Sequence, residues 1–173
     1  INQSQNRFTE RATARAANIN YYDLRNYVRS YELYGKLQSI ATLDENKREC
    51  QIGLMRTSFF MKKYQECLDN IVKVSVLQGL PEFYKAEMAY YKGMSLFSLK
   101  DYDKSQKELE YVTKNVNNEQ AAESKYTLAK MYYLKKNNKQ AEKECNDYLD
   151  KFPSYEYYLG KTFILLSDIY LED

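Results

Sequence analysis

The chain has no histidine and no tryptophan, and among its 173 residues only 5 are glycine, 2 proline and 3 cysteine. Without histidine, the commonest general base and the commonest metal ligand are both missing. So few glycines and prolines leave little of the chain for tight turns or long loops. Cys50, Cys67 and Cys145 form an odd set with no CxxC pair, which argues against a disulfide framework and offers no metal site. No GxSxG, P-loop, HExxH or GxGxxG occurs, so neither catalysis nor a cofactor is expected. Charge of one sign is lacking too. With 26 basic against 24 acidic side chains the net charge is +2, which gives no electrostatic case for nucleic acid or an anionic membrane. No stretch approaches the roughly 20 apolar residues of a bilayer span, and the run Phe163 to Leu166 is far too short. The chain begins Ile1-Asn2-Gln3 and so reads as trimmed; its start assigns no compartment.

What remains is a soluble globular composition, 44% apolar and 29% charged, in a length suited to one domain spanning 1–173. The chain repeats itself. Ser30, Cys67, Ser105 and Ala141, all small, recur at intervals of 37, 38 and 36 residues. Tyr27, Tyr64, Tyr102 and Asn138 stand three residues before them. Tyr34, Ile71, Leu109 and Cys145 stand four after, and Leu37, Val74, Val112 and Tyr148 three beyond. The same intervals relate Asn18, Met55, Gly93 and Ala129 upstream. Each period therefore holds two amphipathic patterns with apolar or small residues at i, i+3 or i+4, and i+7. Between them lies a polar break such as Leu99-Lys100-Asp101-Tyr102, short enough only for an antiparallel helix turn. Each unit is predicted to be a helical hairpin. The small residues allow close crossing of helix axes about 8–10 Å apart. The 19 tyrosines fill the space beside them, with hydroxyls free to reach solvent or a carbonyl.

Residues Leu128-Ala129, Tyr132, Ala141, Cys145, Tyr148 and Pro153 in the fourth unit resemble the tetratricopeptide (TPR) pattern nearly throughout. Gly93, Leu96, Phe97, Tyr102, Ser105 and Leu109 in the third are close to it, and the first two units are looser. The resemblance implies an all-α fold of tandem antiparallel helical hairpins stacked in a right-handed superhelix. Its units would cover about 11–44, 48–81, 86–118 and 122–154, with a partial unit at 160–173. The periods exceed the family's roughly 34 residues, with the surplus expected in linkers such as 78–81 and 115–118. Such variable spacing is similar to bacterial cell-envelope repeat proteins, which implies a periplasmic or envelope location.

The resemblance also implies a concave face lined by the first helix of each hairpin. Ligand-facing places lie three before, one after and four after the Gly/Ala site. Carried over, they are Arg15, Ile19 and Tyr22; Ile52, Arg56 and Phe59; Tyr90, Met94 and Phe97; and Tyr126, Lys130 and Tyr133. An aromatic surface with three basic side chains suits a protein or peptide with apolar anchors and a carboxylate. Tyr and Phe at helical spacing serve interhelix packing equally well, and a register error of one position would turn groove into core. The chaperone-binding members' Lys/Asn/Lys/Arg clamp is not reproduced, since Gly53, Glu87 and Tyr91 stand at its places.

Glu49, Glu87 and Glu123 recur near the start of three first helices, where a carboxylate stabilises the N-terminus. Cys67 and Cys145 fall at packing positions, and Cys50 at a more exposed one. Lys62-Lys63 and Lys135-Lys136 fall at hairpin turns. In the half unit, Phe163, Leu166 and Tyr170 form an apolar stripe with no second helix to cover it before Asp173. Further repeats, a capping role or a homodimer through this helix are the outcomes the stripe allows. The sequence therefore reads as a non-catalytic scaffold or adaptor that binds a protein or peptide. The alternative is a structural segment of a larger envelope assembly, acting by self-association or domain positioning.

Overall fold

The computed structural model describes residues 3–172, with side chains from residue 7 onward. Among them run nine α-helices: α1 (Gln3–Asn18), α2 (Tyr27–Ile40), α3 (Asp44–Phe60), α4 (Tyr64–Ser75), α5 (Phe83–Ser98), α6 (Tyr102–Asn115), α7 (Glu119–Leu134), α8 (Asn138–Lys151) and α9 (Glu156–Glu172). Described residues include no strand. None of these helices is long and apolar enough to cross a membrane. The chain divides between Leu80 and Pro81 into two compact units.

The helices stop and restart by a repeated device. Lys62, Lys100 and Lys136 take left-handed conformations with φ of 60°, 64° and 59°. In each case two backbone bonds close the helix end. Lys100 N donates to Phe97 O at 3.0 Å, and Asp101 N to Leu96 O at 2.9 Å; the same pair recurs at Lys62/Lys63 and Lys136/Asn137. That is the Schellman arrangement, which normally selects glycine. Asp101 and Asn137 then cap the next helix, accepting from Lys104 N and Gln140 N. The hairpin turn is thus two residues of opposite duty, one ending a helix and one starting the next.

In the first unit, α1 packs on α2, α2 on α3 and α3 on α4, with α1 also touching α3. Its core joins Ala14, Ala17, Tyr34, Leu37, Cys50 and Leu54. Gly53 is required there: a Cβ would lie 2.4 Å from the Tyr34 ring. Glu10 on α1 is fully buried and caps α3 from outside. Its carboxylate accepts from Thr42 N at 3.0 Å, Thr42 Oγ1 at 2.6 Å, Leu43 N at 3.4 Å and Asn46 Nδ2 at 2.8 Å. These four donors hold its pKa at about 2, against an ordinary 4.5.

Between α1 and α2 the chain makes a π-helical turn, Ile19–Asp23, with Leu24 N donating to Ile19 O at 3.0 Å. The extra residue shifts the register of α1. Ser30 Oγ donates to Ala17 O, thirteen residues back, whereas the equivalent Ser105 Oγ donates to Gly93 O, twelve back. Ala17, wholly buried, therefore fills the small-residue site that equal spacing would give to Asn18.

In the second unit α5 to α8 stack in order, and α9 packs on α7 and α8. Leu109, Leu128 and Met131 form one cluster; Ala129, Ala141, Cys145, Leu165, Leu166 and Ile169 form another. Gly93 lets α6 approach, since a Cβ there would lie 2.6 Å from Leu109 Cδ2. Lys125 is buried between α7 and α8 and neutralised twice, by Glu144 at 2.5 Å and Asp147 at 3.0 Å.

Candidate groove on the first helices

The first-helix residues fall into three surroundings. In the first unit, Arg15 is exposed and lines an open recess of about 270 Å³ between α1 and α3, beside Arg11, Asn18, Glu45 and Glu49. Asn18 donates across it to Glu49. Tyr22 and Arg56 meet, the guanidinium donating to the hydroxyl at 2.7 Å. Phe59 lies edge-on to Phe60 and Tyr64, and Phe60 stacks on Tyr27 at 4.5 Å between centroids. Ile19 is exposed and Ile52 buried.

In the second unit, Tyr90 is buried and its hydroxyl donates to Glu123. Burial and that carboxylate push its pKa well upward. Phe97 and Met94 are half-buried against Leu109 and Tyr102, so this pair contributes mainly to packing. Tyr126, Lys130 and Tyr133 come together on one face of α7 and, with α9, border an open groove of about 220 Å³. Helices α7 and α9 run parallel, for Tyr126 lies beside Tyr158 and Lys161, while the Tyr133 hydroxyl donates to Glu172 at 2.7 Å. That bond pushes the Tyr133 pKa to about 12.

Four groove residues, Lys161, Ile164, Leu165 and Asp168, come from α9. From sequence, this half unit is expected to form only an apolar stripe. The signal was nonetheless present: counting three before and one after Ser167, the small residue of the half unit, gives Ile164 and Asp168. The stripe itself divides. Leu166 is buried against α7 and α8, whereas Phe163 and Tyr170 are more than half exposed, Tyr170 donating to Glu142 at 2.8 Å.

The recurring glutamates do more than favour helix starts. Glu49 and Glu123 each accept a hydrogen bond from a neighbouring first helix, through Asn18 and Tyr90. Tyrosine hydroxyls likewise end on carboxylates in the pairs Tyr31–Glu66, Tyr133–Glu172 and Tyr170–Glu142. Tyr148 instead follows the expectation of a carbonyl, donating to Tyr155 O at 3.0 Å. The cysteines form no disulfide and are all buried, Cys50 included, contrary to its expected exposure. Burial pushes the Cys50 and Cys145 thiols to about 11 and about 12, so neither is a thiolate at neutral pH. No group of three or more metal-ligating side chains converges among the described residues.

No family model and no curated protein matches the chain. Among solved structures it is similar to YrrB, described as a TPR protein with an unusual peptide-binding site. The TM-score is 0.65 at 15% identity, over 92% of this chain and 75% of that one. The fold is thus TPR-like, all-α and built of helical hairpins.

Proposed function

We propose that the chain is a non-catalytic scaffold that binds a peptide segment of a partner protein, with the α7/α9 groove as its main contact. The groove itself carries this reading: Tyr126, Lys130 and Tyr133, with the exposed Ile164, border an open space along the seam where α7 packs on α9. YrrB, similar in fold, is described as having a peptide-binding site, which supports the same class of partner. A space of about 220 Å³ accommodates one or two side chains rather than a whole domain. The test is Ile164→Arg, which places a long cation on an exposed helix position. Partner peptides recovered by the wild-type chain should be lost from the variant while its helical signal and melting stay unchanged. Retention of those peptides would remove the groove from consideration.

A second reading, a structural segment of a larger assembly, is favoured by the outer face of α9. Phe163 and Tyr170 are 55% and 58% exposed, and Gly160 and Ser167 lie on the same side. Matching α9 to α7 by the repeat places these residues where α7 receives α8, so a helix from another segment would cover them. Sedimentation of wild type against Phe163→Glu/Tyr170→Glu distinguishes the two readings. Concentration-dependent association abolished by the pair of changes favours assembly; an unaltered monomer favours the peptide groove.

A further inference from the structure

We infer that the outer face of α9 pairs with α9 of a second copy of this chain, antiparallel, about a two-fold axis level with Leu165. This rests on that face being an assembly surface. Gly160, Phe163, Ser167 and Tyr170 stand three, four and three residues apart, so they share one side of the helix. All four are exposed. Small and large alternate along the stripe, and the order is symmetric about its middle. Gly160 and Tyr170 lie five residues either side of Leu165, and Phe163 and Ser167 two either side. Two such stripes laid antiparallel place every ring against a small residue, Phe163 on the partner's Ser167 and Tyr170 on the partner's Gly160. Interdigitation of that kind lets two helix axes approach to about 8–10 Å.

The chain's own hairpins show why a copy fits this face better than another repeat helix. The corresponding side of α5 presents Ala86, Ala89 and Gly93, all buried, and Leu109 of α6 fills the hollow over Gly93. On α9 the repeat puts Phe163 where α5 has Ala89. A ring there needs a small residue opposite it, which the partner's Ser167 supplies. Gly160 points the same way. Glycine inside a helix is destabilising relative to alanine, yet a Cβ at Gly160 would meet nothing within 4 Å, so packing within the chain does not call for it. The Tyr170 ring is already held in place, its hydroxyl bonded to Glu142 on α8 at 2.8 Å. Tyr157, Ile164 and Leu171 flank the stripe, each more than half exposed. Neither the stripe nor this flank holds an ionised side chain, so pairing removes apolar surface from water without burying charge. Lys161 and Asp168 are two residues, or about 200°, around the helix from Phe163 and Tyr170, and stay with the α7/α9 groove. The partner helix also takes the direction that α6 takes against α5.

Sedimentation equilibrium of the intact chain from about 1 μM to about 1 mM spans the range in which a one-helix interface dissociates. A reversible dimer is expected. Ser167→Phe, at an exposed position, should leave melting unchanged and raise the dimer dissociation constant at least about tenfold, because two rings then meet. The exchange Phe163→Ser/Ser167→Phe again sets one ring against one hydroxyl at each pair and should restore the dimer. A merely adhesive apolar face would respond in the opposite sense, since Ser167→Phe enlarges it. Association that Ser167→Phe leaves unchanged or strengthens, or that the exchange does not recover, would overturn the antiparallel pairing while α9 remains an assembly surface. A monomer at every concentration would remove the pairing and the assembly reading together.

Discussion

Glu10 should be among the strongest single supports of the first unit, and the structure says how strong. Its carboxylate gathers four donors, of which two are backbone N–H groups at the start of α3. Leu43, at the cap position itself, offers no side-chain acceptor. Replacing Glu10 by Gln keeps the shape, removes the charge and turns an amide N–H₂ toward groups that are themselves donors. A hydrogen bond to a charged acceptor contributes about 1.5–3 kcal/mol where a neutral one contributes about 1, and the N-terminal dipole adds about 0.3–1 kcal/mol. The expected loss is about 2 kcal/mol at pH 7. The pH dependence has a definite sign. The folded pKa, about 2, is below the ordinary 4.5, so the stabilisation is complete above pH 4.5 and is lost as pH falls toward 2. Urea unfolding followed by circular dichroism at pH 7 and pH 2, with amide exchange at Thr42 and Leu43 as the local probe, measures both effects. Wild type and Glu10→Gln should differ at pH 7 and converge in acid. Equal midpoints at pH 7, or a gap that persists at pH 2, would refute the capping argument.

Lys125→Met should destabilise the second unit by about 3 kcal/mol, because Glu144 and Asp147 lose the cation between them. The Asp147 carboxyl, now held below its usual range by Lys125, should return toward it in an NMR titration. Gly53→Ala forces a methyl into the Tyr34 ring; a loss of about 1–3 kcal/mol is expected, and the double variant with Tyr34→Leu should recover part of it in thermal melts. Lys100→Gly should gain about 0.5–1 kcal/mol by relieving a left-handed φ of 64°, whereas Lys100→Val should lose more than that in the same assay.

The repeat was legible because packing positions tolerate few residue types. Ser105, Ala141 and Cys67 are all wholly buried where helices cross. Helix ends were less legible. The rule that glycine closes a helix fails here, since lysine takes the left-handed position three times and the one glycine with positive φ, Gly79, lies between α4 and α5. The electrostatic partners were invisible for another reason. Glu10 and the donors of residues 42–46 are over thirty positions apart, and no local pattern marks which carboxylate will turn inward. The π-helical turn carries the sharpest lesson about the groove. Equal spacing placed Asn18 beside Gly93 and Ala129, and hence Arg15, Ile19 and Tyr22 on the binding face. One residue absorbed in the turn moves the small-residue site to Ala17, a rotation of about 100°. Spacing counted from the second helix of a hairpin transfers to the first only when the turn between them has constant length. In the fourth unit it does: Ala129 and Ala141 are twelve apart, as Gly93 and Ser105 are. The same count from Ala129 reached Tyr126, Lys130 and Tyr133, the residues that border the α7/α9 groove. Repeat arithmetic therefore earns its weight unit by unit, in proportion to how regular each turn is.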